Sequence, residues 1–155
     1  SGDQLKIFGD SAKKELLVEM CLDRDRRTIP GFEMLRIEWL LLQNPRASFS
    51  DEKKRLPGQN HPGLGLLTEV IGLLVMVCQR LNLDGLLYVP SHYHLARISA
   101  QRGLRFLDPD VQKRFEELVA LMKGLSLEQA SWETEHGAFQ PHPMVYPISE
   151  RFLSR

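Results

Sequence analysis

The sequence predicts an α+β domain, with a mixed, mainly antiparallel sheet and helices on both faces. Three patterns lead there. Two runs near the N-terminus, residues 15–22 and 33–43, alternate apolar and polar side chains as half-buried strands do. Residues 64–81 form an apolar run at helical spacing, too long for a strand. After it, short apolar runs at 86–89 and 104–107 are separated by further helical segments, the order of crossover-connected strands.

Taken in order, residues 5–8 read as a short strand, turned by Gly9-Asp10-Ser11. In 15–22 the apolar side chains Leu16, Val18, Met20 and Leu22 share one face. A polar connection, 23–31, closes on the turn pair Pro30-Gly31. Along 33–43, Leu35, Ile37, Trp39 and Leu41 are expected on one face, with Arg36 and Glu38 on the other. Leu40 and Leu42 make the far end apolar on both sides. The two runs predict an antiparallel hairpin.

Residues 44–60 carry three prolines or glycines and a charge cluster, and are expected as an exposed, mobile loop, a surface insertion or a lid. The helix over 64–81 is so apolar that it should lie on the sheet and be partly covered from behind. Asn82 to Gly85 end it. Ser91 is expected to cap the next helix, which runs to Arg102 before Gly103 releases the chain. Asp108-Pro109 opens a third helix, with Val111, Phe115, Leu118, Val119 and Met122 buried, and Gly124 closes it. Ser126 and Gln129 form a capping box for a fourth helix ending near His136-Gly137. The proline-punctuated tail offers Met144-Val145-Tyr146 as an edge strand. The whole of 1–155 reads as one domain, with 108–155 as a helical extension and tail.

Twenty basic and twenty acidic residues cancel, so no global field recruits nucleic acid or an anionic membrane. The one dense basic run, Arg24, Arg26 and Arg27, is interrupted by Asp23 and Asp25 and reads as a solvated loop. Cys21 and Cys78 sit in apolar segments without CxxC spacing, as reduced core residues do. The most apolar window, 70–78, covers about half of the roughly 20 residues a membrane span needs. These features predict a soluble, cytoplasmic protein.

The chemistry-bearing stretch is Asn60-His61-Pro62-Gly63-Leu64-Gly65-Leu66. Glycines strip side chains from the entry to a helix, and the helix N-terminus adds partial positive charge, a setting suited to pyrophosphate. The residue-level alternative is a plain turn at Pro62-Gly63, with Gly65 permitting close helix–sheet packing. His92-x-His94 invites a metal reading, but positions two apart on a helix point away from each other. No H-E-x-x-H or cysteine pair supports it, so no metal is assigned.

In its order of elements, from residue 32 to 107, the chain resembles the GNAT superfamily of acetyl-CoA-dependent N-acetyltransferases. Gly63 and Gly65 match that family's two loop glycines, with Asn60 at its usual Gln/Arg position. The helix, the strand 86–89, Ala96 and the exit Gly103-Leu104-Arg105-Phe106 follow in register or within a residue. The resemblance implies a GNAT-like fold and an acetyl-CoA or other acyl-CoA cofactor. Its pyrophosphate would rest on Asn60, His61, Gly63, Leu64, Gly65 and Leu66, and its pantetheine arm between two splayed strands. It further implies acyl transfer to a small-molecule or peptide amine, with Glu38 as base or water-orienting group; a homodimer is left open. The family's tyrosine acid, four residues after Ala96, is Ala100 here. Tyr93, His92 or His94 would have to replace it. Pro62 also removes one N–H from the cradle. A scaffold retained for regulation or protein interaction, without catalysis, is the alternative these departures raise.

Overall fold

Residues 2–155 are described by a computed structural model. The elements are β1 (Asp3–Phe8), β2 (Leu16–Asp25), β3 (Met34–Leu42), α1 (Leu67–Arg80), β4 (Gly85–Tyr88), α2 (Tyr93–Gln101) and β5 (Arg105–Phe106). They continue with α3 (Pro109–Leu121), α4 (Leu127–Glu133), a 3-10 turn (Thr134–His136), β6 (Met144–Pro147) and α5 (Glu150–Leu153). The strands form one six-stranded mixed sheet in the order β1-β2-β3-β4-β6-β5. Only β3 and β4 pair in parallel; every other neighbouring pair is antiparallel. The α+β class and the β2–β3 hairpin are as the sequence predicts.

Alternation along the strands separates two cores. Leu35, Ile37, Leu86 and Met144 belong to the larger, where Ile71, Leu74 and Cys78 of α1, Ala96 of α2, Phe115 of α3 and Ala130 of α4 also pack. Met34, Leu87 and Val145 point the other way, into a small core with Ile29 and Phe152. The four longer helices therefore line one face, and the four-residue α5 alone supplies the helix on the other.

Four expectations are corrected. In β3 the register shifts between Cys21 and Leu22, which face Trp39 and Ile37, so Glu38 is an extra, bulged residue. The bulge swaps the faces beyond it. Leu40 and Leu42 join the large core with Met20 and Val18, whereas Trp39 turns away and stays 53% exposed. Trp39 and Leu41 thus do not share the face of Leu35 and Ile37. Second, β6 is not an edge strand but lies between β4 and β5. Pro141 and Pro143 precede it and Pro147 ends it, so no proline removes a donor from its interior. Third, α1 begins at Leu67 rather than Leu64, because Gly65 holds a φ of +74°, which an α-helix cannot contain. Likewise α2 is preceded by His92, not Ser91, at the N-cap.

The long loop after β3 has anchors. Trp132 Nε1 donates to Arg55 O (3.1 Å) and Lys54 pairs with Glu128 (3.5 Å), both on α4. These ties fasten it to α4.

Candidate functional site

The parallel ladder between β3 and β4 runs from Met34–Gly85 to Ile37–Tyr88 and stops. β3 continues to Leu42, hydrogen-bonded to β2 alone, while the chain leaving β4 turns into α2. Pairing therefore ends where the Glu38 bulge begins. At the far end of β3, Asn44 N donates to Pro62 O (2.6 Å), which seats the glycine loop beside the end of the strand, where β2 is its one partner. A side chain at Gly63 would come 3.8 Å from Leu42 O, and one at Gly65 would meet nothing within 4 Å. The corner is open, not plugged.

Backbone donors line it. The N–H groups of Gly63, Leu64, Gly65, Leu66, Leu67, Thr68 and Glu69 make no hydrogen bond among the described residues; the first helical bond is Val70 N to Leu66 O (3.0 Å). Four of these are the orphan donors every helix start leaves, and the α1 dipole adds to them. No side chain caps them. Two cations reach the same place: Lys53 Nζ donates to Gly63 O (2.9 Å), and Arg102 Nε donates to Thr68 Oγ1 (3.0 Å). Below them, Thr68, Ile71, Gly72, Val75, Arg102 and Tyr146 line an open groove of about 580 Å³. An anion with an extended organic tail suits such a place chemically.

The predicted residues fall into separate groups. Gly63, Leu64, Gly65 and Leu66 belong to the corner, with the donors extending one turn further than expected. Asn60 is exposed and His61 half-buried; neither makes a hydrogen bond. Glu38 sits at the bulge on the face away from α1, where its Oε2 accepts from Cys21 Sγ (3.5 Å). Tyr93 is elsewhere: it is buried, packed edge-on to Phe139 and tilted on Phe115, and borders a cleft with Arg97 and Lys123.

His92 and His94 stack, with ring centroids 5.5 Å apart, contrary to the expectation that they diverge. The reason is local: His92 is the extended N-cap (φ −134°, ψ 155°), so helical geometry does not govern the pair. His92 Nδ1 lies 3.2 Å from Glu135 Oε2, and its ring packs against Gly58. His94 is buried with Nδ1 unpartnered, and burial, helped by His92, brings its pKa from 6.5 down to about 4. It stays neutral in the fold while the unfolded chain takes up a proton below pH 6.5. Stability should therefore decline from about pH 6.5 towards 4. His94→Leu should flatten that decline and cost little at pH 8, as read by melting temperature against pH.

Sequence reasoning missed two groups. Lys53 lay in the loop read as an exposed, mobile insertion or lid, and Arg102 was read only as a helix end. Residue spacing gave no sign of either, since each reaches the site through the tertiary fold.

No family model, curated protein or solved structure matches this chain, so its function must be read from its own geometry. Among the described residues, no helix is long and apolar enough to cross a membrane.

Proposed function

We propose that the chain is a GNAT-like domain that binds acetyl-CoA or another acyl-CoA and transfers the acyl group to an amine. The observation that carries this reading is the open glycine corner, with its run of free amides, beside the end of β3 and beyond the point at Ile37 where the ladder with β4 stops. The pyrophosphate would take the amides of Gly63 to Glu69 together with Lys53 and Arg102. The pantetheine arm would enter the gap between the parting strands.

A bound acyl-CoA would supply a thioester whose carbonyl carbon an amine could attack, with the C–S bond breaking and the coenzyme departing as thiolate. Glu38, exposed where the strands part, takes the ammonium proton directly or through water. With Ala100 lacking a hydroxyl and Tyr93 held among aromatics, solvent would supply the proton that the thiolate takes up. In the cell this chemistry suits the cytoplasm, where Cys21 and Cys78 stay as thiols.

Acetyl-CoA at about 100 times its Kd should raise the melting temperature by roughly 5–10 °C. Gly65→Asp should abolish the shift, and Gly65→Asn should keep most of it. The two carry similar backbone strain at φ +74° and differ in charge. An unchanged shift in Gly65→Asp removes the corner from the binding site. Glu38→Gln should slow turnover by about 100-fold or more without loss of binding.

Tyr93, withdrawn into its aromatic cluster, favours a second reading: a retained scaffold that binds the coenzyme without turnover. That reading predicts the thermal shift with no free thiol released against a panel of amines.

A further inference from the structure

The outward face of α1 is bare. The sequence predicts a helix partly covered from behind, yet Leu73 is 54% exposed and Met76 53%, with Leu66 and Leu81 close behind. Ile71, Leu74 and Cys78, on the opposite side, are the ones that reach the core. Glu69, Leu73, Met76 and Arg80 recur at helical spacing and form a single stripe. Leu73 and Met76, each more than half exposed, supply its apolar part.

We propose that this stripe is a homodimer interface in which α1 packs antiparallel against α1 of a second copy. The arrangement of charge selects that occupant. A two-fold axis between residues 74 and 75 sets Leu73 against Met76 of the second copy and Glu69 against its Arg80. Both contacts occur twice, because the interface is self-complementary. Glu69 and Arg80 are exposed and have no ion-pair partner among the described residues. A lipid surface fits less well, since the stripe presents one acid and one base rather than a basic border. The interface is smaller than the standard ~1,600 Å² and gives a micromolar, reversible dimer.

Sedimentation velocity from about 1 to about 200 μM brackets that affinity. The wild-type chain should pass from monomer to dimer, and Leu73→Glu should remain monomeric throughout. Glu69→Arg and Arg80→Glu should each weaken association about tenfold, because each swap places like charges together at two points. The double swap, Glu69→Arg with Arg80→Glu, should restore it. These side chains are exposed, so melting temperatures should barely move; if Leu73→Glu does not fold, the charge-swap series decides alone. A wild-type monomer at every concentration overturns the proposal. So does a Leu73→Glu dimer, or a double swap that stays as weak as the singles.

Discussion

Gly85→Ala should lower stability by about 3 kcal/mol or more, or roughly 6–12 °C in melting temperature for a chain of this size. Gly85 opens β4 between β3 and β6, at the middle of the sheet. A Cβ there would collide with the backbone carbonyl of Tyr146 and sit 3.0 Å from Met34 Cε. The carbonyl belongs to a paired strand and cannot swing aside as a side-chain tip would. Relief requires β6 to move, and β6 carries Met144 and Val145, one into each core. Gly72→Ala on the outward face of α1 provides the opposite sign. Nothing lies within 4 Å, so the helix should gain up to about 1 kcal/mol. Urea unfolding of the two variants beside the wild type reads both effects. Equal losses would mean that Gly85 matters only through its backbone freedom.

Gly85 also marks how far the sequence could be read. The Asn82-to-Gly85 segment announces a turn, and the chain does turn there, with Asn82 at φ 55°. The glycine's other role, allowing β6 to pass at close range, depends on a strand sixty residues downstream. The same division runs through the fold. Local signals held: Asp108 caps α3 through Asp110 N, and the Ser126–Gln129 capping box forms as read. Period-two alternation found the β2–β3 hairpin but not the Glu38 bulge, since an inserted residue leaves both strands apolar at their far ends. β6 was legible as a strand but not as an inner one, because its neighbours are set by two crossovers.

The candidate site divides likewise. The glycine corner was visible because backbone exposure demands glycines in fixed order before a helix. Its extension to Thr68 and Glu69 was hidden by the positive φ of Gly65, which a sequence does not declare. Lys53 and Arg102 come from elements that meet at the corner only after folding. Tyr93 looked available from its place at a helix start; the aromatic cluster with Phe106, Phe115 and Phe139 claims it instead.

Asp84→Ala should cost about 3 kcal/mol, because the buried Asp84 joins three distant segments. Its carboxylate accepts from Glu33 N (2.8 Å), Ser149 Oγ (2.6 Å) and Arg151 Nη2 (2.7 Å), and its backbone exchanges hydrogen bonds with Glu33, Ile148 and Ser149. The start of β3, the turn before β4 and the cap of α5 are fastened at this one residue. Alanine removes the acceptor and leaves the Glu33 N–H without a partner. Arg151→Ala should cost less, about 1 kcal/mol, since that guanidinium is largely in solvent, stacked on Phe32. Burial alone would raise the Asp84 pKa, but Arg151, Ser149 and the Glu33 N–H outweigh it and hold it below 3.8. The stabilisation from the ionised form is therefore complete above pH 4 and is lost as the pH falls through the lowered folded-state value. Asp84→Asn lacks this component, so its deficit against wild type should shrink between pH 4 and pH 2. Asp25, also held below its ordinary value, will keep some acid dependence in both proteins. A deficit that stays constant down to pH 2 would show that the fastening works through shape and neutral hydrogen bonds, with no contribution from the charge.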